Sequence, residues 1–388
     1  MRIAFVCDWL TGMRGGERCL EAVCELYPHA DIYTLVHFPG AVSQTIESHR
    51  IHTSYIQRLP GDKKNFRRYL PLFPDAIRRF DLRGYDCVLS LSHCVAKGAK
   101  VPPDVTHVCY CHTPMRYAWY MRSEYLRRSG YIRSKAAGFL LDRMQSWDRR
   151  TASGVTRFVA VSRNVQSQIR DAYNRDSVVI HPPVDCDRFS VSRDNDGYYL
   201  IVCALSPYKR VDLAIQAFAA LDRQLVVVGK GPELPFLKAV ASGNVSFVHA
   251  ADDDEVVKRM QRCRALIFPG EEDFGIVPLE AQASGKPVIA YGKGGALETV
   301  IGFNEASDMN ADATGVFFYE QSAEALREAV RRFEKIEGRF DGQKCRRNAL
   351  RFDRPIYKES MRGFIESVSG DKSNVAERIA PKAGGCTQ

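Results

Sequence analysis

Nowhere in its 388 residues does the chain hold an unbroken apolar run near the roughly 18 residues that a membrane-spanning helix requires. Any Cys-x-x-Cys pair is also missing: the 12 cysteines are scattered, and the tightest spacing is Cys109-x-Cys111. That argues against a zinc or dithiol redox centre and fits free, buried thiols in a reducing cytosol. A Gly-x-Gly-x-x-Gly turn is absent, which removes support for a nicotinamide dinucleotide. The opening residues, Met1-Arg2-Ile3-Ala4-Phe5-Val6-Cys7-Asp8, are too short and too soon acidic for a secretory leader, and they read as a first strand.

What the chain does have is a net charge of +9, unevenly placed. Residues 1–185 carry 27 Lys+Arg against 17 Asp+Glu, whereas the remainder carries 28 against 29. The basic excess of the first half serves either an anionic surface or substrate, or solubility alone. Much of it lies in residues 57–80, where Arg58, Lys63, Lys64, Arg67, Arg68, Arg78 and Arg79 alternate with large apolar side chains. One arrangement puts Phe66, Tyr69, Leu70, Leu72 and Phe73 among lipid headgroups while the cations hold phosphates. Nucleic acid uses the same mixture, but no nucleic-acid motif accompanies it, so an anionic membrane surface ranks first and no nucleic-acid partner is expected. The alternative is an amphipathic core helix with a solvated basic face.

Short apolar runs alternate with helical patterns through both halves, which predicts an α/β chain of two doubly wound domains. The predicted strands of the first half are Ile3–Cys7, Asp31–Leu35, Tyr85–Ser92, Val105–Cys111 and Thr156–Val161. Those of the second are Tyr198–Leu205, Leu225–Val228, Val245–Val248, Ala265–Phe268 and Pro287–Tyr291. The domains are placed at residues 1–185 and 186–350, followed by a helix over 351–369 and a polar, disordered tail over 370–388.

Chemistry concentrates in Pro269-Gly270-Glu271-Glu272-Asp273-Phe274-Gly275-Ile276-Val277-Pro278-Leu279-Glu280-Ala281. It joins the strand Ala265–Phe268 to a helix that Pro278 is placed to begin. Such a turn aims free backbone N–H groups and the positive end of a helix dipole at one point, which suits a phosphate. Glu272 and Glu280 would repel a bare phosphate, but each can accept hydrogen bonds from sugar hydroxyls on either side of a diphosphate. That combination describes a nucleotide sugar. The plainer alternative is one Glu in a loop and another favouring a helix N-terminus.

With Phe274-Gly275 inside it and Ala281 after it, this stretch resembles the Glu-x7-Glu motif of family 4 of the retaining glycosyltransferases, which have the GT-B fold: two Rossmann-like domains facing an inter-domain cleft. The resemblance implies that residues 1–185 are the acceptor side, that 186–350 bind the nucleotide sugar, and that the helix over 351–369 packs back on the first domain. The resemblance runs over residues 1–370 and its motifs fall in family order. It implies donor contacts by Glu272, Phe274, Gly275, Ile276, Val277 and Glu280. It makes Gly15 and Gly16, at the entrance of a helix, the counterparts of a glycine-rich loop beside the donor diphosphate. His112, at the end of the strand Val105–Cys111, matches a family histidine that contacts the donor sugar; position alone leaves it equally a structural residue. Ser162-Arg163-Asn164-Val165 and His181-Pro182-Pro183-Val184-Asp185-Cys186-Asp187-Arg188-Phe189 also match, the second marking the crossing between domains. Lys209, in a strand-to-helix loop, is placed to neutralise a leaving diphosphate. The Arg that family members often carry five residues earlier is Ala204 here, and Arg210 or Arg14 is the candidate for the missing charge.

The likeness is closest to bacterial O-antigen and exopolysaccharide mannosyltransferases. It implies transfer of a hexose, mannose from GDP-mannose first, to a glycan on a polyprenyl lipid, by a protein peripheral to the cytoplasmic face of the membrane. It further implies catalysis by His112, Lys209 and Glu272 with no protein nucleophile, the leaving phosphate assisting the incoming hydroxyl. No cofactor or metal is called for, and the acidic run Asp252-Asp253-Asp254-Glu255 reads as a helix cap rather than a metal ligand set. A glucosyl- or galactosyltransferase using a UDP-sugar, a sugar-nucleotide epimerase of the same architecture, and an idle glycan-binding scaffold are the alternatives.

Overall fold

Runs of four to six apolar residues, cut short by glycine, proline or charge, become buried parallel strands. The computed structural model describes residues 1–60, 63–120, 122, 131–249, 252–304 and 312–370. The chain divides into two units, Met1–His181 with the segment from Tyr357 on, and Pro182–Ile356. Apart from Gly370, the tail expected over 370–388 lies outside the described residues.

The first unit contains a seven-stranded sheet of β1 (Ile3–Cys7), β2 (Asp31–Thr34), β3 (Ile51–Thr53), β4 (Cys87–Ser92), β5 (Thr106–Cys111), β6 (Arg157–Ala160) and β7 (Ser177–Val179). Their order across the sheet is β3-β2-β1-β4-β5-β6-β7, with every pairing parallel. The second unit contains β8 (Tyr199–Val202), β9 (Leu225–Val228), β10 (Val245–Val248), β11 (Ala265–Phe268), β12 (Val288–Tyr291) and β13 (Gly315–Phe318). Here the order is β10-β9-β8-β11-β12-β13, again all parallel. Both sheets are doubly wound. Chain direction across the sheet reverses between β1 and β4 in one and between β8 and β11 in the other, and such reversals open a crevice at the carboxyl ends of the strands.

Buried polar groups are tied down within each unit. At the end of β1 the Asp8 carboxylate, 1% exposed, accepts hydrogen bonds from four backbone N–H groups of the turn after β4. These come from His93 (2.7 Å), Cys94 (2.9 Å), Val95 (2.6 Å) and Ala96 (2.8 Å). Deeper in the unit Lys97 pairs with Asp148 at 2.7 Å, with both side chains at or below 2% exposure. Tyr173 and Trp119 donate to the other oxygen of Asp148. In the second unit the buried Gln282 and Asn348 bond to each other and both donate to the Thr299 carbonyl, which fastens the helix Ile276–Ala283 to the helix Gly342–Leu350. The helix Arg354–Gly370 begins in the second unit, and from Tyr357 on it belongs to the first. There the Tyr357 ring meets Tyr110 at 5.7 Å and Lys358 pairs with Glu25 at 2.9 Å.

The basic-aromatic stretch folds differently from a lipid-inserting face. It forms a 3-10 helix over Lys63–Leu72 and a short α-helix over Phe73–Arg78. Phe66 and Phe73 are turned into the core, 7% and 1% exposed, against each other and Trp9. Burying them beside Phe38 and Ile77 satisfies the same hydrophobic demand that lipid would. Leu72 and the cations Arg67 and Arg68 remain exposed.

Replacing Lys97 by Met leaves Asp148 buried without its counter-charge. The expected cost is about 3–5 kcal/mol of stability, measured by urea unfolding. A change below about 1 kcal/mol would show that Tyr173 and Trp119 alone hold the carboxylate.

Candidate active site

The reversal point of the second sheet carries the densest chemistry. The loop after β8 runs through a 3-10 turn, Pro207–Lys209, to Arg210, whose φ of 53° is one of two positive values at non-glycine positions among the described residues. That backbone is costly for a side-chain-bearing residue. It is held by the Arg210 guanidinium, which donates to both Asp212 oxygens and to Gln321 Oε1 (3.1 Å), while Gln321 donates to the Pro269 carbonyl (3.1 Å). Arg210 therefore braces the two loops, and its charge is already matched by Asp212. Ala204, where the family arginine would stand, is exposed here.

Lys209, next to it, points to the loop after β11 and forms an ion pair with Glu272. Their side chains are only 12% and 19% exposed, and the ammonium also lies 5.2 Å from the Tyr208 ring centroid. Burial alone would lower the Lys209 pKa, but Glu272, with Tyr208 and Cys203, outweighs it and raises the value. The two loops touch through backbone: a Cβ on Gly270 would fall 2.8 Å from the Tyr208 oxygen and 2.9 Å from Lys209 Cα. On its other side the Glu272 turn rests on the turn after β12, where Gly295 N donates to the Glu272 carbonyl at 2.8 Å. A Cβ on Gly295 would meet Phe274 Cα at 2.2 Å. Within this unit that glycine-rich turn serves the Glu272 loop.

Gly275, at φ 96°, turns the chain into the helix Ile276–Ala283 and, as the residue at its N-cap, offers no side chain to the first turn. The helix begins at Ile276, two residues before Pro278. Proline at the third position costs no hydrogen bond, because the first four N–H groups have no partner within the helix. Ile276 and Val277 thus present the N–H groups of the first turn, and half-buried Glu280 opens the second. Phe274 is buried against Phe352 (5.6 Å), so its backbone rather than its ring is what a ligand could meet. In the acidic run, Asp252 Oδ1 accepts from Glu255 N (2.8 Å) and caps the helix Asp253–Arg262.

The reversal point of the first sheet holds the other predicted residues. Half-buried His112 follows β5, and its ring lies 5.3 Å edge-on from Tyr110. Gly15 and Gly16 begin the helix Gly15–Leu26, and a Cβ on Gly16 would sit 3.5 Å from His112 Nε2, in ordinary contact. Burial, with His93 adding to it, pushes the His112 pKa down to about 3. Glu17, in the same first helical turn, is pushed up to about 7 by burial, against backbone N–H groups and Arg14. Glu17, Asp8 and His93 stand out only in three dimensions.

Residues 13–188 match the family model described as Glycosyltransferase Family 4, and residues 186–351 match the one described as glycosyl transferases group 1. Together they cover residues 13–351, most of both doubly wound units, and the chain belongs to the glycosyltransferases built from these two domains. A GDP-mannose-dependent alpha-(1-6)-phosphatidylinositol monomannoside mannosyltransferase of Mycolicibacterium smegmatis is 32% identical over 173 residues, 36% of this chain and 45% of that protein. The O-antigen chain mannosyltransferase RfbU of Salmonella typhimurium is 28% identical over 199 residues, 47% of this chain and 55% of its own. The chain thus spans about half the length of these curated relatives. Among solved structures, Anabaena HepE in complex with UDP and glucose superposes with a TM-score of 0.67 at 17% identity, covering 95% of this chain and 100% of that one. The fold is GT-B.

His112 gives a pH signature. Unfolded, the imidazole takes up a proton near its ordinary value of 6.5; folded, it stays neutral to about 3. The unfolded state binds more protons in that window, so this contribution to stability is complete above the upper value and is lost as pH falls through it. His112→Gln should lose less stability than the parent between about pH 7 and about pH 4 in urea unfolding. Equal losses would contradict a ring held neutral in the folded state.

Proposed function

We propose that this protein is a retaining glycosyltransferase that moves a hexose from a nucleoside-diphosphate sugar to a hydroxyl of a lipid-linked glycan, in the synthesis of bacterial surface polysaccharide. Mannose from GDP-mannose is the first choice of donor, in keeping with the names of the two mannosyltransferase relatives.

The observation that carries this is the Lys209–Glu272 pair beside a helix start entered through a glycine. Breaking a largely buried ion pair by satisfying one partner leaves the other stranded, at a cost of several kcal/mol. A bare phosphate satisfies Lys209 alone, and a neutral sugar satisfies Glu272 alone. A sugar diphosphate satisfies both, its phosphate oxygens taking Lys209 and the N–H groups of Ile276 and Val277, its hydroxyls taking Glu272. In the reaction Lys209 and the helix start stabilise charge growing on the departing diphosphate. Glu280 receives the ribose hydroxyls and His112 orients the donor sugar as a neutral imidazole. None of these roles calls for a protein nucleophile or a metal.

The acceptor is proposed to reach the protein at the inner face of the cell membrane. No helix among the described residues is long and apolar enough to cross a bilayer. The exposed cations of residues 57–80 and exposed Leu72 supply a surface for anionic headgroups.

A panel of nucleotide sugars scored by thermal stabilisation tests the donor, because each specific binder raises the melting temperature by mass action. GDP-mannose should give the largest shift, and a panel without any shift would refute the proposal. Lys209→Ala should lower kcat by about 100-fold or more, and unchanged turnover would remove it from the mechanism. Glu280→Ala should weaken nucleotide binding in calorimetry by about tenfold; an unaltered affinity would count against its ribose role. Neutralising Lys63, Lys64, Arg67 and Arg68 together should reduce cosedimentation with phosphatidylglycerol vesicles, and equal sedimentation of variant and parent would end the membrane proposal.

A further inference from the structure

The first sheet reverses direction between β1 and β4, and the residues that leave the carboxyl ends of those two strands are Asp8 and His93. His93 Nδ1 lies 3.1 Å from Asp8 Oδ2, and the imidazole is 37% exposed while Asp8 is sealed. A carboxylate beside Nδ1 keeps the proton on that nitrogen and leaves Nε2 as a hydrogen-bond acceptor. Asp8 is itself fixed by the four N–H bonds described above, so it cannot turn away.

The surroundings suit a sugar. Trp9 stands edge-on to His93 with ring centroids 4.5 Å apart, it is half-buried, and the Arg67 guanidinium lies 5.3 Å over its ring. A half-buried indole next to a hydrogen-bond acceptor pairs an apolar ring with a polar point, the complement of what a pyranose presents. On the other side the His112 ring is 6.4 Å away. Burial lowers the His93 pKa; Asp8 pulls upward, while Arg116, Arg67 and Arg14 push it further down, and the net direction is downward. The ring is therefore neutral where the enzyme works and accepts rather than repels a hydroxyl proton.

We infer that His93, aligned by Asp8, receives a hydroxyl of the acceptor sugar through Nε2, with Trp9 beside it as the apolar wall of an acceptor subsite. This rests on the reading of the protein as a glycosyltransferase in which His112 meets the donor sugar. His93 is a recognition residue in this scheme, and it forms no covalent bond.

Steady-state transfer from GDP-mannose to octyl α-mannoside as acceptor probe, together with calorimetric binding of GDP-mannose, tests it. His93→Ala should raise the KM for octyl α-mannoside about tenfold, the loss expected for one hydrogen bond, with the donor Kd within about twofold of the parent. His93→Gln, which can both donate to Asp8 and accept a hydroxyl proton, should recover most of that loss. An acceptor KM unchanged in both variants overturns the inference and leaves the glycosyltransferase reading standing. So does a donor Kd that rises in step with the acceptor KM, because a merely structural His93 would act that way. Should His93→Ala fail to fold, the ring 15N shifts of the parent decide: a bare Nε2 signal that moves upfield on adding octyl α-mannoside supports the inference, and a static one overturns it. A parent that binds no nucleotide sugar refutes the earlier reading and this one with it.

Discussion

Lys209 and Glu272 come from loops that leave adjacent parallel strands at the point where the second sheet reverses direction. Bringing an ammonium and a carboxylate together there, largely shielded from water, requires the two backbones to touch, and the missing side chain of Gly270 permits it. The positive φ of Arg210 and its bonds to Asp212 and Gln321 serve the same end, since they set the direction in which the preceding lysine points. Much of this unit can be read as support for one ion pair. In the proposed reaction the donor replaces both halves of that pair, which would make the site selective before any sugar or base is considered.

The two units repeat one architectural solution with different chemistry. Each is an all-parallel sheet whose direction reverses next to its first strand, and each places an acidic residue against a nitrogen base at that reversal. In the second unit the base is a charged lysine suited to phosphate. In the first it is an imidazole kept neutral, suited to hydroxyls.

Much of this was legible in the sequence, and the failures have physical causes. β9, β10 and β11 are apolar runs closed by glycine, asparagine or proline, and their limits coincide with expectation. β3, β7 and β13 went unread: β3 and β7 are three residues long at a sheet edge and half exposed, so neither carries a continuous apolar signal, and β13, though buried, is a four-residue run that opens on a glycine. The helix after Gly275 starts earlier than Pro278 suggests, because the glycine, not the proline, sets the turn. Phe66 and Phe73 were ambiguous in principle: aromatic residues alternating with cations look alike whether a core or a bilayer receives them. Lys209, Glu272, Glu280 and His112 were each singled out in the sequence, but the partners the structure gives them were not. Asp8 and His93 lie far apart in the chain, and no local pattern announces that a strand end will fold over a distant turn.

The account stands or falls on what happens to the Lys209–Glu272 pair when donor arrives. A crystal structure of the protein with GDP-mannose bound addresses that directly. The pair should be open, with Lys209 Nζ on a phosphate oxygen and Glu272 on hydroxyls of the sugar. An intact pair, with the nucleotide sugar lodged elsewhere, would contradict the central claim.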